Sequence, residues 1–302
     1  MHKQLVNEAI LELAIRPNGP ILIKAGETGG LDPTHPDMEF VRTLDQVFIP
    51  GSSLKGVVRA HCERIVRSLQ TGARDGRGAC DPLNRRAACG ERIERERVAA
   101  SEQKYGQSCF ICRLFGNTVV SSRIRFTDAL PVDKVLIEER NGVAIDRIFG
   151  SVAVGPFNYE VVTRGTFLTS ISFKNFTLSQ LAVVGLALRD LGEGRIGLGF
   201  AKSRGMGRVT IDWRKLELRY PLAGLKQPQA TPVDLWGVGR LAGDAASQAY
   251  GFPPNDSAQL PSDLHFEDDG WGTLQAVAEG SEQVQAVFRA ALGRWREEMT
   301  RG

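Results

Sequence analysis

Alternating hydrophobic and polar positions near the start of the chain predict a half-buried strand. From Leu11 to Arg16 apolar residues occupy every second position, which is the period of a strand with one face in a core. A Pro-Asn-Gly-Pro sequence at 17–20 ends this strand, and residues 21–23 resume an apolar run. Residues 26–46 show no apolar period. A loop of about twenty residues is unusually long for a compact domain, so we expect it to be functional.

The clearest helical pattern in the chain follows this loop. Apolar residues recur at spacings of three and four between Leu54 and Leu69, which predicts an amphipathic helix. Ser52 or Ser53 can cap its start, and His61, beside the apolar stripe, is interpreted as core packing. The other face carries charged residues four positions apart: Lys55, Arg59, Glu63 and Arg67.

The later segments complete an α+β pattern. In chain order they are an irregular insertion (71–118), a strand (123–127), an excursion (131–160), a strand (167–173), a helix (179–191) and a final strand (208–213). Together with the first strand and helix, this order is the ferredoxin-like β-α-β-β-α-β plan that RNA-recognition folds use. We therefore predict an RRM-like domain over residues 1–220. Residues 221–302 are predicted to be an irregular tail with a C-terminal helix.

Composition is ordinary for a globular protein, with 42% hydrophobic and 24% charged residues. The net charge of +3 is distributed unevenly. Between Arg59 and Arg125, fourteen Lys and Arg residues face seven Asp and Glu residues, a local excess of +7. Such a block favours an anionic partner, nucleic acid first, although a solvated face of mixed charge is the alternative. With neither a long apolar segment nor a signal-peptide pattern, we expect a cytoplasmic protein without a membrane partner.

Three segments together resemble one protein family. They are Ile49-Pro50-Gly51-Ser52-Ser53-Leu54-Lys55-Gly56, then Ala144-Ile145-Asp146-Arg147 with Gly150 and residues 160–166, and then the glycine-rich stretch 192–207. In this order they resemble the RAMP superfamily of CRISPR systems, and within it the crRNA-binding backbone subunit of type III effector complexes. The resemblance covers about residues 8–214. It implies a crRNA guide, a target RNA and other CRISPR effector subunits as partners, with residues 131–160 acting as a thumb on the guide–target duplex.

The residues in these motifs suit contacts with RNA phosphates. A helix N-terminus offers unpaired N–H groups and a favourable dipole to an anion, although an ordinary helix cap with a solvated lysine is the alternative. The stretch 192–207 holds six glycines, which allow close approach of a nucleic-acid backbone, and it matches no nucleotide-binding motif. The predicted RNA-binding residues are Ser52, Ser53, Lys55, Arg59, Arg147, Arg195, Lys202, Arg204 and Arg208.

Four of the five cysteines lie in or next to the irregular insertion. Cys80, Cys89, Cys109 and Cys112 are separated by eight, nineteen and two residues, and the last pair has the spacing with which two thiolates grip one tetrahedral ion. An insertion with few apolar residues cannot be held by burial alone, so we predict a structural Zn²⁺ site. Four unrelated thiols are the alternative.

The long loop carries the candidate catalytic residues. The resemblance implies an aspartate before the phosphate-binding turn that is required for metal-dependent cleavage, and Asp37, followed by Val41 and Arg42, fits that pattern. Asp32 is the competing candidate. The alternative to a catalytic role is that both aspartates only cap turns. A carboxylate can hold Mg²⁺ or Mn²⁺ beside the scissile phosphate. The sequence is thus interpreted as an RNA-guided target-RNA endoribonuclease, with a non-catalytic crRNA-binding subunit as the rival.

Overall fold

The computed structural model describes residues 4–26, 36–69, 78–221, 223 and 234–300. The strands are β1 (Glu8–Pro17), β2 (Arg42–Thr43), β3 (Gln46–Val47), β4 (Ile124–Phe126), β5 (Leu130–Pro131), β6 (Leu136–Ile145), β7 (Val152–Arg164), β8 (Phe167–Lys174), β9 (Val209–Tyr220), β10 (Asp234–Trp236), β11 (Ser257–Gln259), β12 (Glu267–Asp268) and β13 (Leu274–Glu279). The helices are α1 (Gly51–Ser68), α2 (Cys89–Arg95), α3 (Ser101–Gln107), α4 (Phe110–Phe115), α5 (Leu178–Gly192), α6 (Val238–Leu241), α7 (Asp244–Tyr250) and α8 (Gly280–Thr300).

A seven-stranded antiparallel sheet forms the centre of this α+β fold. Its strand order is β12-β13-β9-β1-β8-β4, with β5 paired to β8. The central strand β1 pairs with β8 on one side and β9 on the other, so that Leu11 lies between Ile171 and Leu216. All three side chains are buried. The apolar alternation predicted for β1 therefore places its side chains in the core of the sheet.

Helix α5 packs against α1, α8 and β9. It is capped by Thr177, whose hydroxyl accepts a hydrogen bond from the backbone N–H of Gln180 in a capping box. Most of its residues are buried, because neighbouring elements cover several of its faces. Gly185 permits the close approach of α8, since a Cβ there would lie 2.3 Å from Phe288 Cδ1. The predicted helix over 179–191 is confirmed.

The tail from residue 234 onward differs from the expected irregular segment. Strand β13 pairs with β9 along the registers Leu274–Tyr220 and Ala278–Leu216, and so widens the central sheet. Its inward residues at 274, 276 and 278 are buried. The expectation of an irregular tail is corrected by this pairing, in which β13 supplies hydrogen-bond partners to the backbone groups at the edge of β9. Among the helices of the described residues, none has the length and apolar content to span a bilayer.

Residues 131–160, expected to form an excursion, contain most of a two-stranded hairpin. Strands β6 and β7 pair antiparallel and are exposed along most of their length. At the tip, the carboxylate of Asp146 accepts hydrogen bonds from the backbone N–H groups of Ile148 and Phe149. Both apolar side chains at this tip are 83% exposed. At the other end, Val162 is buried and pairs with Ile21, which anchors the hairpin to the core.

Candidate nucleic-acid interface and metal centre

The first backbone N–H group of α1 has a carboxylate partner within the protein. Pro50 occupies the N-cap position and no side chain caps the helix, so the expected cap by Ser52 or Ser53 is wrong. Instead, the backbone N–H of Gly51 donates to Asp128 Oδ1 at 2.7 Å. This carboxylate supplies the negative charge that the helix N-terminus favours.

Two of the predicted RNA-binding cations make internal contacts. Lys55 Nζ donates to Ser122 Oγ at 2.9 Å and to the carbonyl of Ile124 at 3.4 Å. Burial, and then the neighbouring charge of Arg59, lowers the pKa of Lys55. The guanidinium of Arg59 donates to Glu63 Oε1 at 3.0 Å. Lys55 therefore connects α1 to β4, while this contact of Arg59 lies within the helix.

A cleft of about 710 Å³ separates the middle of α1 from the glycine-rich segment. Helix α1 contributes Val57, Ala60 and Arg64 to one wall. The residues of the glycine-rich segment that line the cleft are Gly194, Arg195, Ile196, Gly197, Lys202, Ser203, Gly205 and Met206, and Arg208, which directly follows the segment, lines it too. The glycine-rich segment thus faces the middle of α1 across one concave surface, and no residue of the first motif, 49–56, lines it.

The lining of the cleft is strongly basic. It contains four cations, and the lining residues include no Asp or Glu. Arg195 forms an ion pair with Glu193 at 2.8 Å. Arg64, Lys202 and Arg208 have no ion pair with any residue of the described ranges, and all three are exposed. Three unpaired cations around one concavity suit a ligand with several negative charges, such as consecutive phosphates of a nucleic acid.

The glycines of this segment have two separate structural roles. Gly199 has a φ of +86° and a Cβ there would lie 2.2 Å from the carbonyl oxygen of Leu22. A Cβ at Gly207, which has a φ of +87°, would lie 2.5 Å from the carbonyl oxygen of Leu198. Gly205 also has a positive φ, but its missing side chain would meet open space. Gly199 and Gly207 therefore allow close packing against the backbone of Leu22 and Leu198, while Gly205 leaves the cleft accessible.

A buried polar contact joins α1 to α5 beside the cleft. His61 Nε2 and Asp190 Oδ2 are 2.7 Å apart, and Arg189 donates to the other carboxylate oxygen at 2.7 Å. Burial acts to raise the pKa of Asp190, but the hydrogen bonds from His61 and Arg189 hold it below its ordinary value. The interpretation of His61 as apolar core packing is therefore incomplete, because its ring has a polar partner.

Two further predicted RNA-binding residues lie outside the cleft lining. Arg204 is exposed and stacks over the ring of Phe200, with its guanidinium carbon 5.1 Å from the ring centroid. Lys24 Nζ lies 5.4 Å from the same centroid. Arg147 lies in the exposed tip of the β6–β7 hairpin. The structure therefore distributes the predicted RNA-binding residues over several surfaces.

The four cysteines of the insertion converge on one buried point. The sulfur atoms of Cys80, Cys89, Cys109 and Cys112 all lie within 4.8 Å of one another. Those of Cys80 and Cys112 are 3.7 Å apart. Four sulfurs at about 2.3 Å from a tetrahedral zinc ion would be about 3.8 Å apart, so the spacing fits such an ion. The cluster can therefore hold a metal ion, as the sequence predicted.

Hydrogen bonding in the cluster suits thiolate ligands. The backbone N–H of Cys109 donates to Cys89 Sγ at 3.2 Å, and that of Cys112 donates to Cys109 Sγ at 3.4 Å. Hydrogen bonds from the thiol of Cys109, and then from that of Cys112, lower the pKa of Cys89 to about 7. The pKa values of Cys109 and Cys112 are raised, because four neighbouring thiols cannot all ionise without a cation between them. The two backbone N–H donors favour thiolate ligands once an ion is bound.

Asp37 lies in the second half of the long loop and is exposed. Its Oδ2 accepts a hydrogen bond from the backbone N–H of Asn158 at 2.8 Å. It belongs to no group of three or more metal-ligating side chains within the ranges that the structure describes. Asp32, the competing candidate, lies outside the described residues. The choice between the two aspartates stays a prediction.

Arg64 is the cleft residue that sequence reasoning missed. It stands outside the pattern of charged residues four positions apart that gave the predicted RNA contacts of α1, Lys55 and Arg59. The spacing of Val57, Ala60 and Arg64, at three and four residues, places them on one helix face. The small side chains of Val57 and Ala60 on that face indicate that another segment can approach Arg64. Which face meets the glycine-rich segment is decided by tertiary packing.

A family model described as the RAMP superfamily matches residues 15–210, from β1 into β9. Because the match covers about two thirds of the 302 residues, the chain belongs to this superfamily. No curated protein sequence matches the chain. The family indicates involvement in CRISPR effector complexes, with RNA and other components of the complex as partners, and it includes ribonucleases. The predicted superfamily is therefore confirmed, and the type III subunit role stays a prediction.

Proposed function

We propose that the chain is a backbone subunit of a type III CRISPR effector complex and holds the guide RNA in the cleft between α1 and the glycine-rich segment. The observation that carries this proposal is the convergence of Arg64, Lys202 and Arg208 on one cleft whose lining has no acidic residue. Contacts of this kind bind backbone phosphates of any sequence, while base pairing by the guide selects the target.

The sheet topology supports a ferredoxin-like core for this subunit. Strands β1, β4, β8 and β9 lie in the spatial order β9-β1-β8-β4, and all neighbouring pairs are antiparallel. With α1 after β1 and α5 after β8, this is the arrangement that a β-α-β-β-α-β plan produces. The β6–β7 hairpin is inserted between the second and third of these strands. We propose it as the thumb, with Ile148 and Phe149 as the apolar residues that contact the guide–target duplex.

The cysteine cluster is proposed to bind one structural Zn²⁺. The ion would hold α2 and α4 together, because Cys89 opens α2 while Cys109 and Cys112 belong to the start of α4. Elemental analysis should find one zinc per chain. Much less than one zinc in a chain with five freely titratable thiols would contradict this part of the proposal.

The guide-binding proposal is tested by alanine variants of the cleft. Arg64→Ala, Lys202→Ala and Arg208→Ala should each weaken the binding of unrelated single-stranded RNAs by similar factors. Each should also reduce the slope of log affinity against log salt by about 0.7, because one phosphate contact is lost. Arg289→Ala is the matched control, since this exposed arginine lies on α8, away from the cleft. Salt slopes unchanged in all three cleft variants would contradict the proposed guide path.

A second candidate function is cleavage of the paired target RNA, with Asp37 holding Mg²⁺ or Mn²⁺. It is favoured by the position of Asp37, which is exposed and hydrogen-bonded to strand β7 of the proposed thumb. In this second proposal the target strand passes the hairpin beside the Asp37 carboxylate. The rival, a subunit that binds crRNA without cutting, predicts that a loaded complex makes no cut at the site of this subunit.

A further inference from the structure

The charged stripe of α1 is directed toward the cysteine cluster. Arg59, Glu63 and Arg67 are spaced four residues apart and form a continuous ion-pair ladder. Glu63 is only 7% exposed, and its two oxygens accept hydrogen bonds from Arg59 and Arg67, each at 3.0 Å. A buried carboxylate between two guanidiniums has its charge compensated, so the three side chains form a fixed unit.

Both ends of this ladder contact the cluster. Arg59 Nη2 donates to Cys112 Sγ at 3.5 Å, and Arg67 Nη2 donates to the carbonyl oxygen of Cys80 at 3.3 Å. Since the sulfurs of Cys80 and Cys112 are themselves 3.7 Å apart, the contacts form a closed ring through Glu63. The ring attaches two of the four cysteines to one face of α1.

The charge of an occupied cluster explains why a cation is placed there. Four thiolates around a divalent ion carry two negative charges in excess, and burying that charge is costly unless donors and cations compensate it. Within the part of the chain that the structure describes, Arg59 is the one cationic side chain that hydrogen-bonds a sulfur of the cluster. Its second contact, with Glu63, fixes the orientation of the guanidinium.

We propose that Arg59 is a positioning residue of the metal centre: it donates a hydrogen bond to the Cys112 thiolate, compensates the charge of the metal–thiolate group and attaches it to α1 through Glu63 and Arg67. The inference rests on the metal binding proposed above. It replaces the RNA contact that the sequence predicted for Arg59. The guide-binding residue of α1 is Arg64, which lines the cleft.

The test compares Arg59→Ala, Arg59→Lys and, as a matched control on the same helix, Arg64→Ala. Zinc affinity is measured for each full-length variant by competition with a chelator. Cobalt(II) substitution adds the thiolate-to-metal absorption band as a spectroscopic signature of the centre. RNA affinity is measured at saturating zinc. The lysine variant retains a positive charge and serves if the alanine variant does not fold.

Arg59→Ala should lower zinc affinity by about 10- to 100-fold, as expected for a side chain that supports a metal ligand, and should shift the cobalt band. Arg59→Lys should lie between this variant and wild type, and Arg64→Ala should bind zinc like wild type. At saturating zinc, Arg59→Ala should bind RNA within about twofold of wild type, because its defect is in the metal centre.

Wild-type zinc affinity in both Arg59 variants would overturn the inference. So would a loss of RNA affinity in Arg59→Ala at saturating zinc that equals the loss in Arg64→Ala, since that result would make Arg59 a phosphate contact. A wild-type chain without zinc would contradict the metal centre and this inference together. A wild-type chain that binds zinc but no RNA would contradict the guide-binding proposal alone, and the zinc affinities would still decide the role of Arg59.

Discussion

Asp37 and Asn158 are joined by a hydrogen bond in which the backbone N–H of Asn158 donates to Oδ2 of Asp37 at 2.8 Å. Two backbone hydrogen bonds continue this contact: Met38 N–H donates to the carbonyl of Asn158 at 3.2 Å, and Glu160 N–H donates to the carbonyl of Met38 at 3.0 Å. The segment that bears Asp37 is therefore attached to strand β7 of the hairpin. A change in the position of the hairpin would move this carboxylate with it.

Asp37 is expected to be essential for cutting target RNA and dispensable for binding it. In a loaded complex with matching target and Mg²⁺, Asp37→Ala should retain the target but cut no faster than wild type without a divalent ion. Asp37→Asn should behave alike, because an amide keeps a hydrogen-bond acceptor for Asn158 but loses the charge that holds a cation.

The matched control for Asp37 is Asp133→Asn. Asp133 is also exposed, and it also accepts a hydrogen bond from a backbone N–H, that of Thr166. This variant should cut like wild type. Cuts that persist in Asp37→Ala but vanish in Asp32→Ala would assign the catalytic role to Asp32. A wild-type complex that makes no cut would favour the non-catalytic rival.

Replacing Lys55 should affect stability more than RNA binding. Lys55→Ala removes the hydrogen bonds to Ser122 and to the Ile124 carbonyl, so we expect the free energy of unfolding to fall by about 1 kcal/mol. The salt dependence of RNA affinity should stay close to that of wild type. Urea unfolding and RNA titrations at several salt concentrations measure the two quantities. A salt slope reduced as far as in Arg208→Ala would show that Lys55 contacts a phosphate.

Asp256 is expected to make stability depend on pH. Its carboxylate is buried and accepts hydrogen bonds from the backbone N–H groups of Leu178 and Gly239, at the starts of α5 and α6. Burial raises the pKa of Asp256 from 3.8 to about 7, against the opposing effect of these hydrogen bonds. The folded state therefore holds a proton that the unfolded state has lost between these pH values. The stability that this proton contributes falls as pH rises from about 4 to about 7.

Asp256→Asn tests the predicted fall in the free energy of unfolding with rising pH. The amide stays neutral at every pH but cannot accept both hydrogen bonds, so the variant should be less stable than wild type at pH 5. Between pH 5 and pH 8 the difference in free energy of unfolding between wild type and variant should shift in favour of the variant by about 2 kcal/mol. A pKa raised by a few units implies a change of this size. Urea unfolding at both pH values measures it. A constant difference would show that Asp256 is ionised throughout this range.

Two glycines of the glycine-rich segment should respond differently to alanine. At Gly205 only the positive φ opposes a side chain, so Gly205→Ala should cost about 1 kcal/mol of stability. At Gly199 a Cβ would also collide with the carbonyl of Leu22, so Gly199→Ala should cost clearly more and should weaken RNA binding by displacing the segment. Thermal unfolding of the two variants measures the difference. Equal losses of stability would show that the segment relaxes around the added methyl group.

The sequence by itself determined the elements whose signals are local. The alternation in β1, the three- and four-residue spacing in α1 and the apolar length of α5 each follow from backbone geometry, which fixes the face to which a side chain points. The spacing of Cys109 and Cys112 likewise indicated a metal-binding pair. These features need only neighbouring residues, so one sequence was enough to find them.

Tertiary structure alone decided which face of each element meets which neighbour. The charge pattern of α1 suggested Lys55 and Arg59 as RNA contacts, but packing against β4 and the cysteine cluster directs both side chains inward. Arg64 lines the cleft because the glycine-rich segment, far away in the chain, packs beside that part of the helix. Strand β13 was missed for the same reason, since its short alternation becomes a strand when β9 offers an unpaired edge. Contacts between distant segments depend on the whole fold, and no local pattern encodes them.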